Sequence, residues 1–256
     1  MAEPSSSRSK SPAQLLRAGG EALYEAAFRT GDFGPAEAAF SAALEGASHV
    51  RDRGSEAAAF QGLGMTQHYR NIAQLVAGRP VPDADARAEE DWFERALAIR
   101  EEIGAVVEVA ESLFSVGLVH QILRQDWSKA VVCFWRALDL AEGEAAEGDL
   151  YTRSEIHRHI GFYHLVADPQ PLEAVRHLEV SLDLRLQVGD ERRIPSGLVA
   201  LGEAQLAAGD PGSALITLTE AVERTRTAGL SAQRINEAEE ALAEARTAAG
   251  LAPPSR

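Results

Sequence analysis

The stretch Ile160 to Leu182, IGFYHLVADPQPLEAVRHLEVSL, decides the fold, because it carries two helix-period segments on either side of one short break. It opens on an aliphatic residue followed by Gly161. After Pro169-Gln170-Pro171 it continues as Ala174-x₃-Leu178-x₂-Ser181-Leu182. Proline fits the start of a helix but breaks its interior, so the two prolines separate one helix from the next. The same two-part pattern recurs along the chain. The aliphatic–glycine step returns as Leu63-Gly64, Val116-Gly117 and Leu201-Gly202, at glycine spacings of 53, 44 and 41 residues. The second part returns as Ala36-Phe40-Ala43-Leu44, Ala130-Phe134-Ala137-Leu138 and Ala214-Leu218-Ala221-Val222. A further copy, Phe93-Ala96-Leu97, has Glu89 in the slot of the first alanine, with Ala88 one residue off.

These residues resemble the tetratricopeptide repeat, in which Leu-Gly on one helix faces Ala-x₃-Phe on the next. Glycine lets two helices approach closely, and the large residue of the second helix fills the space opposite. The resemblance runs over about residues 14 to 228, and the spacing exceeds the usual repeat of about 34 residues. The chain therefore resembles the long-period type found in kinesin light chains and in the sensor or scaffold arrays of bacterial signalling proteins. It implies an all-α fold: a right-handed α-solenoid of about five helix pairs with a C-terminal capping helix.

The pattern predicts helices over 14–30 and 35–47, 55–77 and 84–103, 106–124 and 128–142, 150–166 and 171–188, and 194–208 and 211–228. Gly31-Asp32, Gly189-Asp190, Gly209-Asp210-Pro211 and Gly229 supply the stops and the next starts. A last helix over 232–249 sets Ile235, Ala238, Leu242 and Ala245 on one face and glutamates elsewhere, as an end cap requires. The expected organisation is a disordered leader at 1–12, a repeat array at 13–230 with an insertion loop at 70–85 around Gly78-Arg79-Pro80-Val81-Pro82, a cap at 231–249 and a tail at 250–256.

Composition narrows the function. A net charge of −14 opposes binding to nucleic acid or an anionic membrane, which need clustered basic groups. The leader lacks the apolar segment of a signal peptide, and no continuous apolar run of membrane-spanning length is evident, so a cytoplasmic protein is expected. The single cysteine, Cys133, excludes an internal disulfide and reads as a small core residue. Phosphate-binding loops, nucleophile elbows and Cys/His clusters are not found, so no enzyme signature is present and no cofactor is expected. The run Glu89-Glu90-Asp91 reads as a solvated outer face.

In the resembled family the first helix of each pair lines the binding face. At 100° per residue, positions −4, −1 and +3 from each glycine turn to the partner helix, while −6, −3, +1 and +4 form the other stripe. That stripe names Gln61, Met65 and His68; Glu111, Phe114, Leu118 and Gln121; Glu155, Arg158, Phe162 and Leu165; and, in the fifth pair, Ser196, Val199, Glu203 and Leu206. In the first pair Tyr24 stands in the place of the glycine. A stripe that is apolar with separated polar groups suits a protein or peptide partner, or a small hydrophobic ligand, better than a charged tail. The lysine–asparagine clamp by which some relatives hold a peptide carboxylate cannot be assembled here, because the only lysines are Lys10 and Lys129 and the only asparagines Asn71 and Asn236. His120, His157 and His164 point toward partner helices, and Arg158 stands within reach of Glu155 on its own helix. The reading is a protein-interaction, scaffold or regulatory module, with a small-molecule sensor or an atypical enzyme as the alternative.

Overall fold

Eleven helices and no strand make up the described residues, 10–143 and 149–251, of a computed structural model. The helices are α1 (Pro12–Glu25), α2 (Gly34–Val50), α3 (Arg53–Val76), α4 (Asp83–Ile103), α5 (Val106–Leu118), α6 (Trp127–Ala141), α7 (Leu150–Val166), α8 (Pro171–Val188), α9 (Ile194–Ala207), α10 (Pro211–Thr227) and α11 (Ala232–Ala248). The fold is all-α with repeated helix pairs, as expected of the α-solenoid class. The expected leader lies almost wholly outside the described residues, as does most of the tail.

Local chemistry sets the boundaries. Ser11 caps α1 through a reciprocal bond with Gln14, and Asp52, Asp149, Asp210 and Ser231 cap α3, α7, α10 and α11 with side-chain oxygens. Gly189 and Gly209 take φ of 74° and 79°, a left-handed conformation that ends a helix and turns the chain into the next one. Two first helices do not run out as α-helix. Ala26–Thr30 after α1 and Val119–Leu123 after α5 widen into single π turns, which nothing in the residue pattern announces. At the expected insertion, α3 continues to Val76 and α4 begins at Asp83, so only 77–82 lie outside helix. Pro80 and Pro82 disturb their immediate neighbours alone.

The chain divides into two compact units, Met1–Ala130 and Val131–Arg256. In the first, α1 packs on α2, α2 on α3, α3 on α4 and α4 on α5. Phe40 and Phe93 occupy the large-residue slots, and both are buried. A Cβ added to Gly62 would stand 2.4 Å from the Phe40 ring, and one added to Gly64 would stand 2.5 Å from Phe93, so only glycine permits these contacts. The first pair corrects the sequence alignment, because Gly19 rather than Tyr24 meets Phe40, with an added Cβ 2.7 Å away. Val106–Leu123 is long and apolar enough to cross a bilayer by length and composition, contrary to the expectation from continuous runs. Over half of that stretch is buried within the protein.

In the second unit α7 packs on α8, α8 on α9, α9 on α10 and α10 on α11. Leu178 closes on Gly161 and Leu218 on Gly202, repeating the small-against-large contact. Leu178, with Ala174, Ala200, Leu201 and Ala204, forms one core cluster. Ala241 and Ala245 of α11 join Ala214 and Leu218 in another, so the last helix covers the apolar side of the fifth pair. Phe134 is fully buried with its ring against His159.

Candidate functional site

The first unit draws most of its expected stripe inward. Gln61, His68, Phe114 and Leu118 are buried, while Met65, Glu111 and Gln121 are half-exposed. The reason is a polar network centred on Arg100 of α4. Its Nη1 donates to the Glu108 carbonyl at 2.9 Å, to Ser112 Oγ at 2.6 Å and to Gln61 Oε1 at 3.3 Å, and its Nη2 pairs with Glu111 at 2.9 Å. Gln61 in turn donates to Ser115 Oγ at 2.8 Å. A buried guanidinium has to be met by acceptors, so Gln61 and Glu111 are engaged in holding the second pair to α5.

A second buried group lies between α3 and α4. Glu89 is fully buried and accepts from Asn71 Nδ2 at 2.7 Å, with His68 Nδ1 2.7 Å from its other oxygen. This overturns the reading of Glu89 as part of a solvated face; only its neighbours Glu90 and Asp91 fit that reading, pairing with Arg124 and Arg95. The signal was present in the sequence, since Glu89 falls in the repeat slot that takes a small buried residue. On the α2 side of α3 lies a cleft of about 290 Å³, with Leu44, Leu63 and Trp92 as apolar walls and Glu45, Gln67 and Arg70 at its edge. None of the expected stripe residues lines it.

The second unit repeats the arginine device and adds a further arginine, Arg158, on α7. Arg185 of α8 donates from Nη1 to the Arg193 carbonyl at 2.8 Å and to Ser196 Oγ at 3.0 Å, and from Nη2 to Glu155 at 2.6 Å. Arg185 and Arg100 stand seven residues after Leu178 and Phe93, in the same repeat slot. With Glu155 engaged there, the Arg158–Glu155 pair that the helix spacing allows does not form. Arg158 instead lays its guanidinium over the Phe162 ring, 4.5 Å from the centroid. Its Nε is buried, and among the described residues it has no hydrogen-bond or ion-pair partner. Burial, reinforced by Arg185, brings its pKa down to about 10, opposed by the more distant Glu155 and Glu203. Burial and Glu244 raise the carboxyl pKa of Glu203 on α9. Phe162 and Leu165 are half-buried and rest on the Leu178 cluster.

Three histidines gather on the other side of α7. His157 Nδ1 and His177 Nδ1 lie 3.0 Å apart, within hydrogen-bond distance, His157 Nε2 lies 3.3 Å from Glu142, and the His164 and His177 rings stack with centroids 5.9 Å apart. As expected, His157 and His164 turn toward their partner helix, where they meet His177; His120 belongs to the first unit. Burial and the neighbouring imidazoles bring the pKa of His177 down to about 4, and burial lowers that of His157. Among the described residues no three His, Cys, Asp or Glu side chains converge as metal ligands. Cys133 is half-buried rather than enclosed, and burial pushes its thiol pKa up.

No protein-family model matches the chain, and no curated protein does. Solved structures do. BtubC (BKLC) from P. vanneervenii is similar over 96% of this chain and 93% of its own, with 17% identity and a TM-score of 0.55. Aspartyl phosphate phosphatase F from Bacillus subtilis is similar over 93% of this chain, with 15% identity and a TM-score of 0.64; the match spans 59% of that protein. The apo form of RapI is similar over 91% of this chain and 84% of its own, with 17% identity and a TM-score of 0.61. At such identities the likeness is one of fold, and it gives the chain a tetratricopeptide-like helical-repeat architecture.

Proposed function

We propose that this protein is a protein-interaction regulatory module that captures a segment of a partner on the first-helix face of its repeats. The observation that carries the reading is the strip Arg158, Phe162 and Leu165 on α7. These side chains stay partly exposed on a helix whose Ile156, His157, His159, Ile160 and His164 are buried. A planar cation stacked on a partly exposed aromatic is the kind of group that anchors interfaces. The helical-repeat fold supports it, since such arrays work through extended binding surfaces rather than through a single enclosed pocket. A second reading, capture of a small apolar ligand, draws on the cleft at Trp92, Leu44 and Leu63.

The test is a photo-crosslinking residue placed at Phe162 and, separately, at Ile216 of α10, which is 74% exposed. One defined protein adduct at position 162 and none at position 216 is the expected result. The same adducts from both positions would reject the reading.

A further inference from the structure

We infer that the cleft at Trp92 is a socket for one aromatic side chain, carried by a partner protein on a basic stretch of its chain. This site stands apart from the strip on α7 and does not depend on it. Equivalent repeat slots in the two units point to it. Counted from Gly64 and Gly161, Phe60 and His157 hold the same place on their first helices, as do Gln67 and His164. Counted from Phe93 and Leu178, Trp92 and His177 are equivalent on the second helices. The contacts agree: the Phe60 and Trp92 rings stack at 5.6 Å, and the His157 and His177 rings lie 5.2 Å apart. One slot differs. Trp135, the residue after Phe134, sets its ring edge-on to His177 at 5.4 Å, whereas the residue after Phe40 is Ser41, which has no ring to offer Trp92. Ser41, Gln67 and Trp92 instead line the open cleft of about 290 Å³. What the second unit supplies from its own sequence, the first leaves to another chain.

The walls and rim select the occupant. Leu44, Leu63 and Trp92 are apolar, and an edge-to-face ring against an aromatic gains more than its buried area alone supplies. The volume lies at the bottom of the roughly 300–1,000 Å³ range of small-molecule pockets, and Ser41 and Glu45 on its lining are exposed. A free ring is therefore held weakly, and a ring attached to a chain adds contacts along the surface. At the rim Glu37 and Arg70 pair with each other, which leaves Glu45; Arg95, over the Trp92 ring, is paired with Asp91. The surplus at the rim is one negative charge, so a lysine or arginine beside the ring complements it and an acidic neighbour is repelled.

The probes are the capped peptides Ac-Lys-Trp-Lys-NH₂, Ac-Lys-Leu-Lys-NH₂ and Ac-Glu-Trp-Glu-NH₂, with free indole as the fourth. Each is titrated into the full-length protein while the Trp92 indole N–H and Leu63 methyl resonances are followed. The first peptide should shift both saturably. The leucine peptide should bind at least tenfold more weakly, and the acidic peptide and indole severalfold more weakly. Ser41→Trp supplies the missing ring from within, as Trp135 does in its own unit, so it should abolish the response and melt at the same temperature or higher. Ser41→Ala, which leaves the cleft open, should bind as the wild type does. Equal binding of the leucine or the acidic peptide, undiminished binding by Ser41→Trp, or a markedly lower melting temperature in that variant would overturn the inference. Indole bound as tightly as the basic peptide would make the cleft a small-molecule site and overturn it as well. None of these results touches the strip on α7, whose crosslink at position 162 is read separately.

Discussion

Phe134 fills the large-residue slot of its helix and is fully buried, so Phe134→Ala should destabilise the protein by about 3–5 kcal/mol in urea unfolding. An unchanged transition midpoint would mean that the repeat register is wrong. Glu89 makes the opposite case, a charge in a slot meant for alanine. Removing it alone leaves Asn71 and His68 without their acceptor, and Glu89→Ala should cost about 3–5 kcal/mol, as breaking a buried pair does. Replacing His68 and Asn71 by leucine as well should recover most of that loss, which the same unfolding measurement checks. The contacts of Phe93, Leu178 and Leu218 with glycine were legible in the sequence because they are steric: a small residue has to face a large one at fixed spacing. Glu89 and Gly19 were not. A carboxylate within a charged run looks solvated until its repeat slot is given weight, and Gly19 became visible only when the Phe40 ring was seen against it.

Helix ends were legible for the same local reasons. Gly189-Asp190 and Gly209-Asp210-Pro211 each combine a left-handed stop with a new cap, and the helices that begin or end there fall within a residue or two of expectation. The π turns at 26–30 and 119–123 were not, since one extra residue per turn leaves no mark in composition. They also limit what helical periodicity can say about Gln121, which lies inside one of them. Of the expected stripe, Arg158, Phe162 and Leu165 lie together on α7. In the first unit the arginine network holds Gln61 and Glu111, and that rearrangement arises from contacts between pairs that no single helix encodes. The last helix supplies a test at this scale. Ending the chain after Gly229 would uncover Ala214 and Leu218, so the shortened protein should aggregate or lose a cooperative thermal transition. A monomer of unchanged melting temperature would show that α11 is not a cap.

Across the whole molecule the composition argues against some partner classes and names none, because a net charge of −14 constrains surfaces and says little about sites. The histidine group gives a global consequence that can be measured. His177 titrates at about 4 in the folded protein against an ordinary 6.5, so between those values the unfolded chain takes up a proton that the folded chain refuses. The contribution is complete above 6.5 and is lost as the pH falls toward 4. The urea midpoint should hold steady above neutrality and decline through that window, and His177→Phe should flatten the decline. The paired arginines bear on how the chain is made. Arg100 and Arg185 each find their carbonyl acceptor eight residues downstream, in the start of the following helix pair. During synthesis from the N-terminus, Arg185 can meet Glu155 and Arg100 can meet Gln61 first, but neither gains its carbonyl until that later stretch has left the ribosome. Translation speed just beyond Glu108 and Arg193 thereby becomes a determinant of yield, and slow codons placed before those positions should raise the fraction of chains that are degraded as they emerge.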